Sequence, residues 1–157
     1  MNTFFKSLMF ALITAFIFSS VPVLNAADEF TADIQSITTD TTDAKAEFNQ
    51  ELASEFNVPA QKVEELTTKE GMTNGDAYMA LETSRQSKKP LDDVVKSFKK
   101  NKAKGWGFIA KDMGIKPGSP EFKALKEKSK EKSKKMKDKK KGGKDKKGKS
   151  EEKGKKK

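Results

Sequence analysis

Apolar residues recur along this chain at three- and four-residue spacing in short bursts, each closed by a helix-breaking residue. Phe48, Leu52 and Phe56 fall four apart and so share one face of a helix. Asn57 tolerates the left-handed conformation that ends helices, and Val58-Pro59 forces an extended step. Pro59 then opens a second helix that carries Val63 and Leu66 inward. The same grammar appears twice more. Gly75-Asp76 precedes a stretch with Ala77, Ala80 and Leu81 to pack, and Lys89-Pro90 restarts the chain into Leu91, Val94, Val95 and Phe98. Phe108, Ile109 and Met113 follow, Gly114 stops that helix and a Lys-Pro-Gly turn reverses the chain. Ser119-Pro120-Glu121 supplies a cap, a proline and a first-turn acid ahead of Phe122 and Leu125. The pattern predicts an all-α fold of three consecutive helical hairpins over residues 43–125. Aligned on Ala53, Ala80 and Ala110, they form a weak repeat of about thirty residues, the size of a helical repeat unit. A shift of 32 also lays Leu66, Gly75 and Ala77 on Phe98, Gly107 and Ile109.

The flanks lack this pattern. Residues 27–42 are polar, rich in Thr and Asp and without sustained period, which predicts a disordered leader; Thr42 or Asp43 then caps the first helix. After Leu125 only Met136 is appreciably apolar, so residues 126–157 read as a Lys-rich low-complexity tail. Lys and Glu are good helix formers, and Glu131 with Lys134 or Lys135 extends the last helix for some turns. From Gly142-Gly143 onward the composition favours disorder. Residues 1–26 differ again: Lys6, an apolar run over residues 8–18, then Ser19, Ser20, Pro22 and a small residue at Ala26. This order predicts a secretory signal peptide cleaved after Ala26, and a protein exported to the periplasm or beyond. An uncleaved anchor would want about twenty uninterrupted apolar residues.

Composition narrows the chemistry. Cleavage would leave 131 residues, enough for one small domain with tails. The chain has no Cys and no His, which removes disulfides, the usual zinc, copper and haem ligands, and every Ser-His or Cys-His nucleophile pair. No cofactor is expected, and the protein reads as a non-enzyme. Asp40, Asp43 and Glu47 lack the loop spacing of a calcium site, while Glu64-Glu65 and Asp92-Asp93 point to successive helix positions; all read as solvated faces. The glycine-containing connectors over residues 69–76 and 102–108 both lack the spacing of a phosphate-binding loop.

Charge comes in blocks. Residues 27–87 carry 4 Lys/Arg and 13 Asp/Glu for a net of −9, residues 88–120 net +6, and residues 121–157 carry 19 and 7 for +12. An acidic front and a basic rear attract one another, within one molecule or between two, and salt weakens that attraction. The tail's cations are all lysines, which offer point charge without the planar fork of arginine and bind anions without selectivity. Lys134, Lys135, Lys137, Lys139, Lys140, Lys141, Lys144, Lys146 and Lys147 are the candidate anion-binding residues. A solubilising tail with no fixed partner is the rival reading. Trp106 lies between Gly105 and Gly107, with Lys102 and Lys104 beside it. Packing over the junction is its first reading, and a contact surface with those lysines is the second.

Two stretches carry a resemblance. ELASEFNVPAQKVEEL resembles the helix-turn-helix of bacterial DNA-binding proteins, with Leu52, Ala53, Phe56, Val58, Val63 and Leu66 at its apolar positions and Asn57 in place of the turn glycine. Its second helix departs from that motif, offering Gln61 and Lys62 but then Glu64, Glu65 and Glu70, which phosphates repel. GWGFIAKDMGI resembles segments of small exported bacterial helical proteins of unassigned function, which implies a helical fold and an envelope setting. The expectation is an exported binding or structural protein. Its tail associates with an anionic envelope surface or polymer, and its body engages a protein partner or itself. Non-specific nucleic-acid binding through the tail and hairpins is the alternative.

Overall fold

A computed structural model describes the backbone of residues 28–151 and the side chains of residues 30–142; the predicted signal peptide lies outside the described residues. The elements are α1 (Asp28–Thr41), a 3₁₀ turn (Thr42–Ala44), α2 (Lys45–Phe56), α3 (Ala60–Thr68), α4 (Asn74–Ser87), α5 (Leu91–Asn101), a second 3₁₀ turn (Lys102–Lys104), α6 (Trp106–Asp112) and α7 (Pro120–Glu151). No strand occurs among the described residues, so the fold is all-α. Of the three expected hairpins, α2–α3 and α4–α5 pack as pairs; the third does not close, because α7 leaves its turn to pack on α1 and α4 and not along α6.

The turns after α2, α4 and α6 each use a residue in the left-handed region: Asn57 at φ 52°, Lys88 at φ 56° and Gly114 at φ 89°. Val58 N donates to Ala53 O at 3.0 Å and Ile115 N to Ala110 O at 2.9 Å, closing α2 and α6 with the same five-residue bond. Pro59 and Pro90 occupy the N-cap positions of α3 and α5 with extended backbone. The left-handed residues set the true alignment of the repeat, with Ala53 and Ala110 matched by Ser84. Ala80 lies four residues, about one turn, too early in α4. The shift of 32 survives at the connectors, where Thr73 and Gly105 are the caps of α4 and α6.

The disordered leader expected over residues 27–42 is not found where the chain is described: α1 occupies Asp28–Thr41, with Phe30 and Ile37 fully buried and Ile34 partly so. Phe30, Ile34, Ile37 and Thr41 follow helical spacing, and the stripe is short enough to be lost among Thr and Asp. α1 packs against α4, α6 and α7. Phe30 meets Phe122 of α7 edge-on at 5.6 Å between ring centres. Neither Thr42 nor Asp43 caps a helix; Thr42 Oγ1 instead donates back to Thr38 O at 2.8 Å.

The domain boundary at Leu125 also moves. α7 starts as its sequence predicts, with Phe122 N donating to Ser119 Oγ at 3.2 Å, but it continues burying residues well beyond Leu125. Ser129, Lys132, Ser133 and Met136 are all buried, and Met136 joins the main core. Apolar content alone hid this face, since its inward positions are mostly serine and lysine. The remaining predicted core residues are buried with few exceptions. Phe56 and Leu91 are half-buried, and Phe108 is 38% exposed with Lys104 Nζ 4.3 Å from its ring centre.

Candidate anion-binding helix

α7 carries most of the predicted site, and its helical pitch of about 100° per residue sorts its lysines by face. Phe122, Leu125, Ser129, Lys132, Ser133 and Met136 point inward. Lys128, Lys135 and Lys139 lie on one flank. Lys123, Lys130, Lys134, Lys137 and Lys141 lie on the outward side within an arc of about 60°.

The inward Lys132 and the flanking Lys135 and Lys139 are engaged by the acidic front of the same chain, whereas Lys128 pairs within α7. Lys132 is 4% exposed, and its Nζ pairs with Glu51 at 3.0 Å and Glu55 at 2.6 Å. It also stands 5.4 Å from the ring centres of both Phe48 and Tyr78, so two carboxylates and two aromatic faces surround the ammonium. Lys135 reaches Glu51 at 2.8 Å and Lys139 reaches it at 2.5 Å. Further along, Lys140 pairs with Asp40 of α1 at 3.4 Å and donates to Thr39 O at 3.2 Å. Burial alone would push the Glu51 carboxyl up, but hydrogen bonds from Lys135, Lys139 and Lys132 outweigh it and hold Glu51 down to about 2. Donating to Glu51 in turn raises Lys135 above the ordinary lysine value. Tyr78, beneath this cluster, is pushed up by burial and by the charges of Glu82 and Glu55, and its hydroxyl donates to Lys128 O at 2.9 Å. A mixed-charge cleft of about 580 Å³ opens here between Glu51, Glu55, Arg85, Lys128 and Lys135.

The outward row is different. Lys123, Lys130, Lys134, Lys137 and Lys141 are all exposed, and none has an ion-pair partner among the described residues. A shallow groove of about 520 Å³ follows the row, lined by Lys130, Ser133, Lys134 and Lys137 and edged by Asp33, Glu127 and Glu131. Glu131 pairs with Lys128 at 2.8 Å, not with Lys134 or Lys135 as the sequence suggests.

The nine candidate lysines therefore divide. Lys134, Lys137 and Lys141 stand outward together. Lys135, Lys139 and Lys140 are tied to Glu51 and Asp40. Lys144, Lys146 and Lys147 belong to α7 by backbone, with side chains outside the described residues. Lys123 and Lys130 join the outward row although the sequence reading passed over them; the signal was their seven-residue spacing with Lys137. Trp106 is not a contact surface. It is 4% exposed, stacks on Phe98 at 5.5 Å and donates Nε1–H to Asp76 Oδ1 at 2.8 Å. Asp76 in turn completes a capping box with Thr73, so the tryptophan locks the start of α4 to that of α6. Lys102 and Lys104 remain exposed on the second 3₁₀ turn.

Among the described residues, no group of three or more acidic residues is placed to hold a metal ion, and no helix is long and apolar enough to cross a membrane. Comparison of the chain with protein-family models, curated proteins and solved structures returns no match.

Proposed function

We propose that this is an exported, non-enzymatic binding protein of the cell envelope, whose C-terminal lysine-rich helix associates with anionic envelope material. The observation that carries this reading is the division of α7. One set of lysines is consumed by Glu51, Glu55 and Asp40, and that docking leaves a second set facing solvent in a row. A purely solubilising tail has no need of an anchored face. Here the intramolecular pairs fix the helix on the body, so the outward ammoniums are held in place before any ligand arrives. Each lysine close to an anionic surface contributes about 1 kcal/mol, and the attraction weakens with salt.

The helical body serves in this reading as the platform for α7. Its engagement of a protein partner or of itself has less support, since Phe108 is the one large apolar side chain exposed among the described residues. The nucleic-acid alternative through the α2–α3 hairpin is weakened too. Lys62, the cation of its second helix, pairs with Asp92 of α5 at 2.9 Å.

The test is retention of purified protein on the envelope fraction of the producing cell during a salt gradient. Retention at low salt with release by about 0.5 M is expected for electrostatic association. Flow-through at about 0.05 M salt would sink the proposal.

A further inference from the structure

We propose that the outward lysine row of α7 takes a single phosphodiester-linked chain and grips it by its backbone. This inference rests on the envelope-binding reading and names its ligand.

The row runs from Lys123 to Lys141, about 27 Å at the rise of an α-helix, with two turns between Lys123 and Lys130 and about one turn between successive charges from Lys130 to Lys141. It is narrow. Asp33 edges its groove from α1, and Glu127 and Glu131 edge it from α7 itself. An anionic bilayer is a plane far wider than a helix about 10 Å across, so it would press against those carboxylates as well as the lysines. A single polymer chain lies along the ammoniums and leaves the acidic margins in water. The face also lacks an apolar side chain to insert into lipid, since the exposed Phe108 belongs to α6. No aromatic residue stands on the row, so bases or sugars attached to the chain gain no stacking platform. Phosphate is the repeating charge that suits compact ammonium groups at this spacing, and lysine reads it as point charge.

The experiment uses the purified protein and three probes: a thymidylate oligomer of about twenty units, an abasic phosphodiester of the same length, and vesicles of equal parts phosphatidylglycerol and phosphatidylcholine. Affinity is measured against salt from about 0.05 to 0.3 M. Both oligomers are expected to bind alike and more tightly than the vesicles. The triple variant K130Q/K134Q/K137Q should lose at least about tenfold in oligomer affinity and flatten the log–log salt slope by about 2, the counterion release of three single-strand contacts. K102Q/K104Q/K111Q removes the same charge from another face and should change affinity less than about twofold. Equal losses from both triples would overturn the row, leaving only net charge. Thymidylate binding far above the abasic chain would overturn backbone-only recognition. Vesicle binding without oligomer binding would overturn this inference and leave the envelope reading standing. Failure to bind any of the three at about 0.05 M salt would remove both.

Discussion

The hydrogen of Gly75 stands where a Cβ would run into the backbone oxygen of Ile34, with Thr38 Oγ1 2.8 Å and Ile34 Cγ2 2.9 Å away. α4 can lie this close to α1 because the side chain is absent, and the approach is fastened by polar bonds. Gly75 N donates to Thr38 Oγ1 at 3.1 Å, and Asn74 Nδ2 donates to Thr41 Oγ1 at 2.9 Å. Two effects then compete in Gly75→Ala. Alanine favours the helix by about 1 kcal/mol, whereas forcing a methyl against a backbone atom of a packed helix costs about 1–3 kcal/mol or more. The clash should win because a carbonyl in mid-helix cannot swing away. We expect the substitution to lower the urea midpoint by the equivalent of about 2 kcal/mol, and a raised midpoint would show that α1 does not pack there. Lys132 makes a similar point in charge. Its sequence neighbours mark it as one more solvated lysine, yet it is the one that α2 encloses.

Among the elements, α2 to α6 were legible because each carries its own start, stop and apolar face, as Asn57-Val58-Pro59 and Lys88-Lys89-Pro90 illustrate. α1 and the middle of α7 were not, since neither has a local reason to be ordered. Each acquires one from the other: Phe30 against Phe122, and Ser129 Oγ donating to Asp33 Oδ2 at 3.3 Å. Composition-based reasoning judges a segment alone and fails where the burial is reciprocal. The candidate site was legible as a set of lysines, but the division between paired and outward ones needed the helix phase relative to Glu51. A chain ending at Leu125 loses buried Lys132, Ser133 and Met136 and uncovers α1. Such a truncate should lose at least about 3 kcal/mol by urea unfolding, from one lost core side chain and the carboxylates left unpaired. A truncate ending at Gly142 should unfold at the midpoint of the whole chain. Equal midpoints for the two truncates would return the boundary to Leu125.

Across the whole molecule, the charge polarity of the sequence is resolved inside one chain. The −9 front meets the +12 rear through Glu51, Glu55 and Asp40, and the surplus of lysine is what remains to face outward. Glu51 is the centre of that contact, since three ammoniums converge on it while burial opposes its charge. Its carboxyl is held from 4.5 down to about 2, so the folded state binds this proton less readily than the unfolded chain does. The stabilisation is then fully present above about pH 4.5 and is lost as pH falls toward 2. A shift of that size corresponds to at most about 3 kcal/mol, less what solvent screens at its partly open edge. Glu51→Gln should therefore destabilise the protein at pH 7 and flatten the acid limb of its stability profile. Urea unfolding of both proteins between pH 7 and pH 2.5 checks this, with the two curves expected to converge toward the acid end. Parallel curves would mean that Glu51 does not hold α7 to the body. The outward row would then lose the fixed frame on which its selectivity for a narrow ligand depends.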